Sequence, residues 1–216
     1  GAAMTAEVYL NGEKLARHEG GYSRFRVEIT EGLAEKENTL LVAVDNSDNG
    51  RVYPQKADFT FYGGLYRMVR LVVVPKSHFA MDYYGGDGIK VTPRVALAGD
   101  EKNSARAGNS GSEGSSAGTG NSGTADNSAS TGSSASADIT VEVWTVGGGE
   151  YVDITVAQET KRAAVTEGYA KAEFHLEKVH LWDGVEDPYL YTARAELESG
   201  DAVETRFGCR DFRIDP

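Results

Sequence analysis

The chain has 216 residues, 40% of them hydrophobic, and a formal net charge of −11. That length allows one large or two ordinary domains with real cores. The negative charge argues against a nucleic-acid partner, which needs Lys/Arg stripes, and against an anionic membrane surface. No apolar run reaches the roughly 18 residues that a bilayer span requires.

In chain order, 8–10 followed by Asn11-Gly12 reads as a strand entering a tight hairpin, because Asn-Gly accepts positive φ at both central positions. Residues 22–30 alternate, with Phe25, Val27 and Ile29 on one face and Arg24, Arg26 and Glu28 on the other, which predicts a half-buried strand. Residues 39–44 predict a third strand. Residues 65–74 predict a fourth, apolar on both sides and therefore central. Between them, Asp45-Asn46-Ser47-Asp48-Asn49-Gly50 mimics the first half of an EF-hand loop. The twelfth place is Lys56 instead of glutamate, and the flanks are strands, so the stretch reads as a polar turn, with a loose cation site as the alternative.

The stretch 58–67 concentrates chemistry: Asp58, four aromatics, the pair Gly63-Gly64, and Arg67. Adjacent glycines permit a turn that side chains would forbid. A carboxylate among aromatic rings suits sugars, whose hydroxyls it accepts and whose C–H faces the rings cover. The competing reading is a core turn with a solvated aspartate.

Beyond Pro75, 78–83 and 90–97 predict two strands around a Gly85-Gly86-Asp87-Gly88 turn. Residues 138–146, 152–156, 170–176, 189–197 and 202–207 predict five more. Short strands without helical periodicity indicate a β-sandwich. Residues 99–137 form a Ser/Gly/Ala/Asn/Thr tract that buries too little surface to offset its chain entropy, which predicts a disordered loop insertion. The single cysteine, Cys209, excludes an internal disulfide and reads as a small core residue. The four histidines lack close metal-ligand spacing, and His175 and His180 read as structural. Pro188 biases Asp187 to an extended shape and launches the last hairpin. Trp182 is expected to bury its ring between the sheets, a sugar-stacking platform being the rival.

Four pieces in order resemble the later part of the sugar-binding domain of glycoside hydrolase family 2. They are Val8-Tyr9-Leu10-Asn11-Gly12, His18-Glu19-Gly20-Gly21-Tyr22, the run 38–46, and the stretch 58–69. Two pieces resemble the immunoglobulin-like domain that follows it: 179–191, a tryptophan, an acid–proline pair and Tyr-Leu-Tyr, and Phe207-Gly208-Cys209-Arg210, with cysteine where the family usually has an aromatic. The resemblance implies an all-β chain. Residues 1–75 would be part of a galactose-binding-like jelly-roll whose earlier strands precede Gly1, leaving unpaired edges. Residues 76–216 would be an immunoglobulin-like sandwich carrying the 99–137 insertion.

The wording is closest to bacterial β-galactosidases. It implies a non-catalytic region that walls the active-site pocket for a β-galactoside and supports a catalytic barrel downstream of Pro216, with a homo-oligomer compatible with it. No catalytic residue is carried over onto this chain. By alignment on Gly64-Leu65, Asp58 falls where these enzymes place a substrate-binding aspartate; in some of them that acid also contacts sodium, which implies a sodium site in the full-length enzyme and no cofactor in this chain. Arg67 is expected to be a structural partner. The rival functions are a stand-alone carbohydrate-binding module with an immunoglobulin-like spacer, and a scaffold without ligand.

Overall fold

The computed structural model describes residues 1–52, 62–97 and 135–212. Its strands, in chain order, are β1 (Ala2–Ala3), β2 (Thr5–Leu10), β3 (Glu13–Glu19), β4 (Leu40–Asp45), β5 (Gly64–Leu65), β6 (His78–Phe79), β7 (Ile89–Ala96), β8 (Ser136–Val146), β9 (Tyr151–Val156), β10 (Glu159–Ala164), β11 (Tyr169–Leu176), β12 (Tyr191–Leu197) and β13 (Ala202–Phe207). Two short 3₁₀ turns, Thr30–Gly32 and Tyr83–Gly85, are the helical elements among the described residues, so the chain is all-β. The strands divide between two compact units, Gly1–Pro75 with Ala80–Gly88, and Lys76–Phe79 with Ile89–Pro216.

The first unit is built on the antiparallel sheet β3-β2-β4 and the two-stranded ladder β1-β5. Asn11 and Gly12 both have positive φ, 52° and 91°, and close the β2–β3 hairpin as their dipeptide dictates. Along β2, Ala6, Val8 and Leu10 are buried while Thr5, Glu7 and Tyr9 are half-buried. Two sequence expectations fail in this unit. Residues 22–29 keep the expected alternation, with Phe25, Val27 and Ile29 the better covered, yet lie outside any strand. Residues 68–74 also lie outside any strand, and Met68, Leu71 and Val73 are 74, 75 and 86% exposed. Apolar patterning marks which residues can be buried, but a strand needs a partner ladder; among the described residues neither segment has one.

The second unit is a sandwich of two antiparallel sheets. One has the order β10-β9-β12-β13; the other has β8 at its centre, flanked by β11 on one edge and by β7 and β6 on the other. Two antiparallel sheets packed face to face in this way are the immunoglobulin-type arrangement. Period-two alternation sends Ile139, Val141 and Val143 of β8, Ala170, Ala172 and Phe174 of β11, Val152, Ile154 and Val156 of β9, and Ala193, Ala195 and Leu197 of β12 into one core. Tight turns set the registers. Gly147, at φ +83°, passes so close to the Lys76 carbonyl that a Cβ would stand 1.8 Å from its oxygen, so no other residue fits there.

Most of the 99–137 tract lies outside the described residues, but its end is a correction. Ala135 and Ala137 are 2 and 0% exposed, β8 begins at Ser136, and the Ala135 carbonyl accepts the Val179 N–H at 2.9 Å. Alternating alanine and serine looks like linker by composition, yet Ala137 is a member of the sandwich core. The strand β10 was not foreseen: Glu-Thr-Lys-Arg-Ala-Ala has no apolar alternation, because it is an exposed edge held by its ladder to β9.

Candidate functional site

The stretch from Gly63 to Arg67 is tied into the first unit at several points. β5 pairs with β1 through Ala2↔Leu65 and Ala3↔Gly64, with Gly64 at φ +78°. A Cβ on Gly63 would stand 2.8 Å from Asn46 Nδ2, so the end of β4 packs directly under the glycine pair. Tyr66 N–H donates to the Gly1 carbonyl at 3.2 Å, and the Tyr66 hydroxyl donates to the Gly21 carbonyl. Arg67 donates to the Tyr22 carbonyl at 3.2 Å, its guanidinium 5.1 Å from the centre of the Tyr66 ring. Arg67 thus acts as a structural clamp. A small buried cluster of Ala3, Met4 and Val52, with Tyr66 against it, secures the other end. Val52 and Gly63 are therefore both held where the chain enters and leaves 53–61. Asp58 itself lies outside the described residues.

The neighbouring turn shows what its oxygens do. Asp45 Oδ1 accepts the Ser47 N–H at 2.8 Å, which holds the Asp45 carboxyl below its ordinary range. Asn49 Oδ1 accepts the Arg51 N–H at 3.0 Å, while Asn49 Nδ2 donates to Thr5 Oγ1. These oxygens satisfy backbone groups in Asx turns. Among the described residues no group of three or more His, Cys, Asp or Glu gathers as a metal set. Nearby, His18 Nε2 lies 3.1 Å from both the Gly20 carbonyl and Ser23 Oγ, its ring stacked on Phe25 at 4.3 Å; this fixes the Gly20-Gly21 turn that receives the Tyr66 hydroxyl.

In the second unit, Trp182 is not between the sheets. Its half-exposed side chain lies against Gly208, where an added Cβ would stand 2.9 Å from the Trp182 Cβ and 3.1 Å from the nearest ring atom, and the Arg210 guanidinium stands 5.4 Å from the ring centre. The loop is pinned by Trp182 N–H donating to the Cys209 carbonyl at 2.7 Å and by reciprocal hydrogen bonds between Asp183 and Asp187. His180 Nε2 pairs with Asp187 Oδ2 at 2.5 Å and its ring stacks on Tyr189 at 4.2 Å; His175 Nδ1 pairs with Asp138 Oδ1 at 2.7 Å. These histidines brace exposed strand ends. Cys209 is fully buried in the core, and burial pushes its thiol up. A shallow groove of about 270 Å³ on the β10-β9-β12-β13 sheet is lined by Tyr151, Asp153, Arg162 and Glu196 among others. Its charges already pair, Arg162 gripping both Asp153 oxygens at 2.7–2.8 Å.

Comparison with known proteins agrees with this architecture. The model of glycosyl hydrolases family 2 matches residues 119–210. A β-glucuronidase of Bacteroides fragilis is 25% identical over 100% of this chain, which corresponds to 29% of that protein. A β-galactosidase of Thermoanaerobacter pseudethanolicus is 30% identical over 49% of this chain and 16% of its own length. The crystal structure of an FMN-binding β-glucuronidase from Facaelibacterium prausnitzii L2-6 superposes with a TM-score of 0.72 and 29% identity, covering 99% of this chain and 29% of that one. The chain thus spans less than a third of the length of these relatives. The family match over 119–210 marks the two-sheet sandwich as a glycosyl hydrolases family 2 domain, and the whole chain is similar to part of the length of these glycosidases.

Proposed function

We propose that the chain is the non-catalytic accessory β-region of a longer retaining glycoside hydrolase that removes a terminal β-D-sugar. The observation that carries this reading is the coverage: the whole chain aligns with less than a third of glycosidases much longer than itself. Retaining hydrolysis needs two carboxyl groups about 5–5.5 Å apart on a rigid frame. In this reading a barrel outside the chain supplies them, and the chain supports that barrel and walls its pocket. The isolated chain is then expected to release no nitrophenol from nitrophenyl glycosides above background, whereas the longer protein does. Turnover by the chain alone, after removal of host enzyme, overturns the proposal.

Within this reading Asp58 touches the sugar. A carboxylate there accepts hydroxyl hydrogen bonds and orients the ring without transferring protons. A charge-assisted bond of this kind is worth about 1.5–3 kcal/mol, so Asp58→Ala in the longer protein should lower kcat/KM by roughly 10- to 150-fold. Asp58→Asn should cost less if the acid accepts a hydroxyl, and nearly as much if it holds a cation. Asp48→Ala, in the polar turn, should be close to neutral. A folded Asp58→Ala enzyme with wild-type kcat/KM contradicts the assignment.

The wording of the 58–69 stretch supports a β-D-galactoside as the substrate. A second reading, a β-D-glucuronide, is favoured by the relatives that align with the whole chain, from B. fragilis and F. prausnitzii, being named β-glucuronidases. The ratio of kcat/KM for nitrophenyl β-D-galactoside and β-D-glucuronide decides between them.

A further inference from the structure

Four non-glycine residues among the described ones have positive φ: Asn11, Tyr84, Ala157 and Glu167. Asn11, Ala157 and Glu167 sit in tight turns between paired residues, where the ladder imposes the conformation. Tyr84 does not. It lies in the loop between β6 and β7 at φ 45°, ψ 32°, inside a 3₁₀ turn that its own backbone breaks. A left-handed aromatic residue is a conformational outlier, and such strain persists where the surroundings over-determine it.

The surroundings here are a clamp within the first unit. Arg26 donates to the carbonyls of Met81 and Gly86, the latter at 2.7 Å, and to Asp87 Oδ1 at 2.7 Å. Arg24 adds its charge 4.0 Å from the same Asp87 oxygen. Gly86 N–H closes the turn on the Tyr83 carbonyl at 2.7 Å, and Gly85 and Gly88, at φ +70° and +71°, allow the chain to double back. The Tyr83 and Tyr84 rings meet edge-on at 4.9 Å and 84°. The product of this bracing is a tyrosine 95% exposed. The braced loop leaves this ring open to solvent.

We infer that Tyr84 is a stacking platform for a neutral pyranoside, a sugar contact separate from Asp58. A pyranose covers an aromatic ring with its C–H face and offers hydroxyls to a neighbouring carboxylate; the exposed Asp82 stands two positions before the ring. A protein partner fits less well, because binding hot spots are ringed by contacts that exclude water, and Tyr84 is flanked by Asp82, Gly85, Gly86 and Asp87. Asp82 also disfavours a uronate, Asp87 being paired with Arg26 and Arg24. The saccharide class rests on the glycoside-hydrolase reading above.

The test uses the 216-residue chain in an Asp58→Ala background, so that the proposed Asp58 contact makes no contribution. Saturation-transfer NMR with methyl β-D-galactopyranoside should show transfer to the sugar, retained in Tyr84→Phe. Tyr84→Gly should weaken the titrated Kd by about tenfold or more, while methyl β-D-glucuronide gives the weaker response in the parent. Because glycine accepts this φ without strain, Tyr84→Gly should also raise Tm, by about 2–4 °C. Sugar transfer that survives Tyr84→Gly, or a Tm that falls, overturns the inference. If instead the longer protein hydrolyses no β-glycoside while the Tyr84 response stands, the enzymatic reading fails and the binding site does not.

Discussion

The two units handle apolar sequence in opposite ways. In the second, every strongly alternating strand faces another sheet, and Ile139, Val141, Ile154 and Val156 are fully buried. In the first, 68–74 is richer in large apolar residues than any of those strands, yet Leu71 and Val73 are 75 and 86% exposed. Hydrophobicity is a property of residues; burial is a property of pairs of elements. Where both members of each pair lie among the described strands, the pattern becomes a core. Where the pairing strand does not, the same pattern stays on the surface.

Substitutions sharpen the contrast. The largest effect is expected at Ile154→Ala, which leaves a cavity between the two sheets and should cost about 2–5 kcal/mol by chemical denaturation of the second unit. Gly147→Ala should follow at about 3 kcal/mol, because its new Cβ would collide with the Lys76 carbonyl at a φ that alanine resists. Leaving Gly148 as the comparison isolates the contact: it too has positive φ, but a Cβ there meets nothing within 4 Å.

A smaller effect is expected at Glu142, where Lys90 and then Tyr169 donate to its carboxylate and hold it below its ordinary value near 4.5. A depressed carboxyl adds stability above its unfolded pKa and loses it as pH falls through the lower folded value. Glu142→Gln should therefore flatten the decline of Tm below about pH 4.5, with a cost at pH 7 within about 1 kcal/mol for a partly exposed pair. Leu71→Ser, in the first unit, should change stability by no more than about 0.5 kcal/mol, since little burial is lost. A loss as large as that of Ile154→Ala would mean that 68–74 is packed after all.

The same contrast explains what could be read from residues alone. The sandwich was legible because its strands alternate and its turns carry glycine. β10 escaped because an edge strand of Glu, Thr, Lys, Arg and Ala has no apolar face, and because its turn places positive φ on Ala157, which no glycine announces. Residues 22–29 showed the right faces and the wrong class, since alternation reports exposure and not pairing. The Asn11-Gly12 turn was legible in full. At the candidate site, Gly63-Gly64 signalled a turn that side chains would forbid; that Asn46 packs against Gly63 was not legible. Tyr84 left no trace in the sequence, because its left-handed backbone is imposed by Arg26 from nearly sixty residues away. Asp58 was legible only through the family resemblance of the stretch around it.

Hydrogen exchange of the 216-residue chain, resolved to peptides by mass spectrometry, tests the contrast most directly. Amides of β8, β9 and β12, paired on both sides within the sandwich, should exchange only through global opening of the second unit, while those of 68–74 should exchange in the first seconds. Protection of 68–74 comparable to that of β8 would contradict the account.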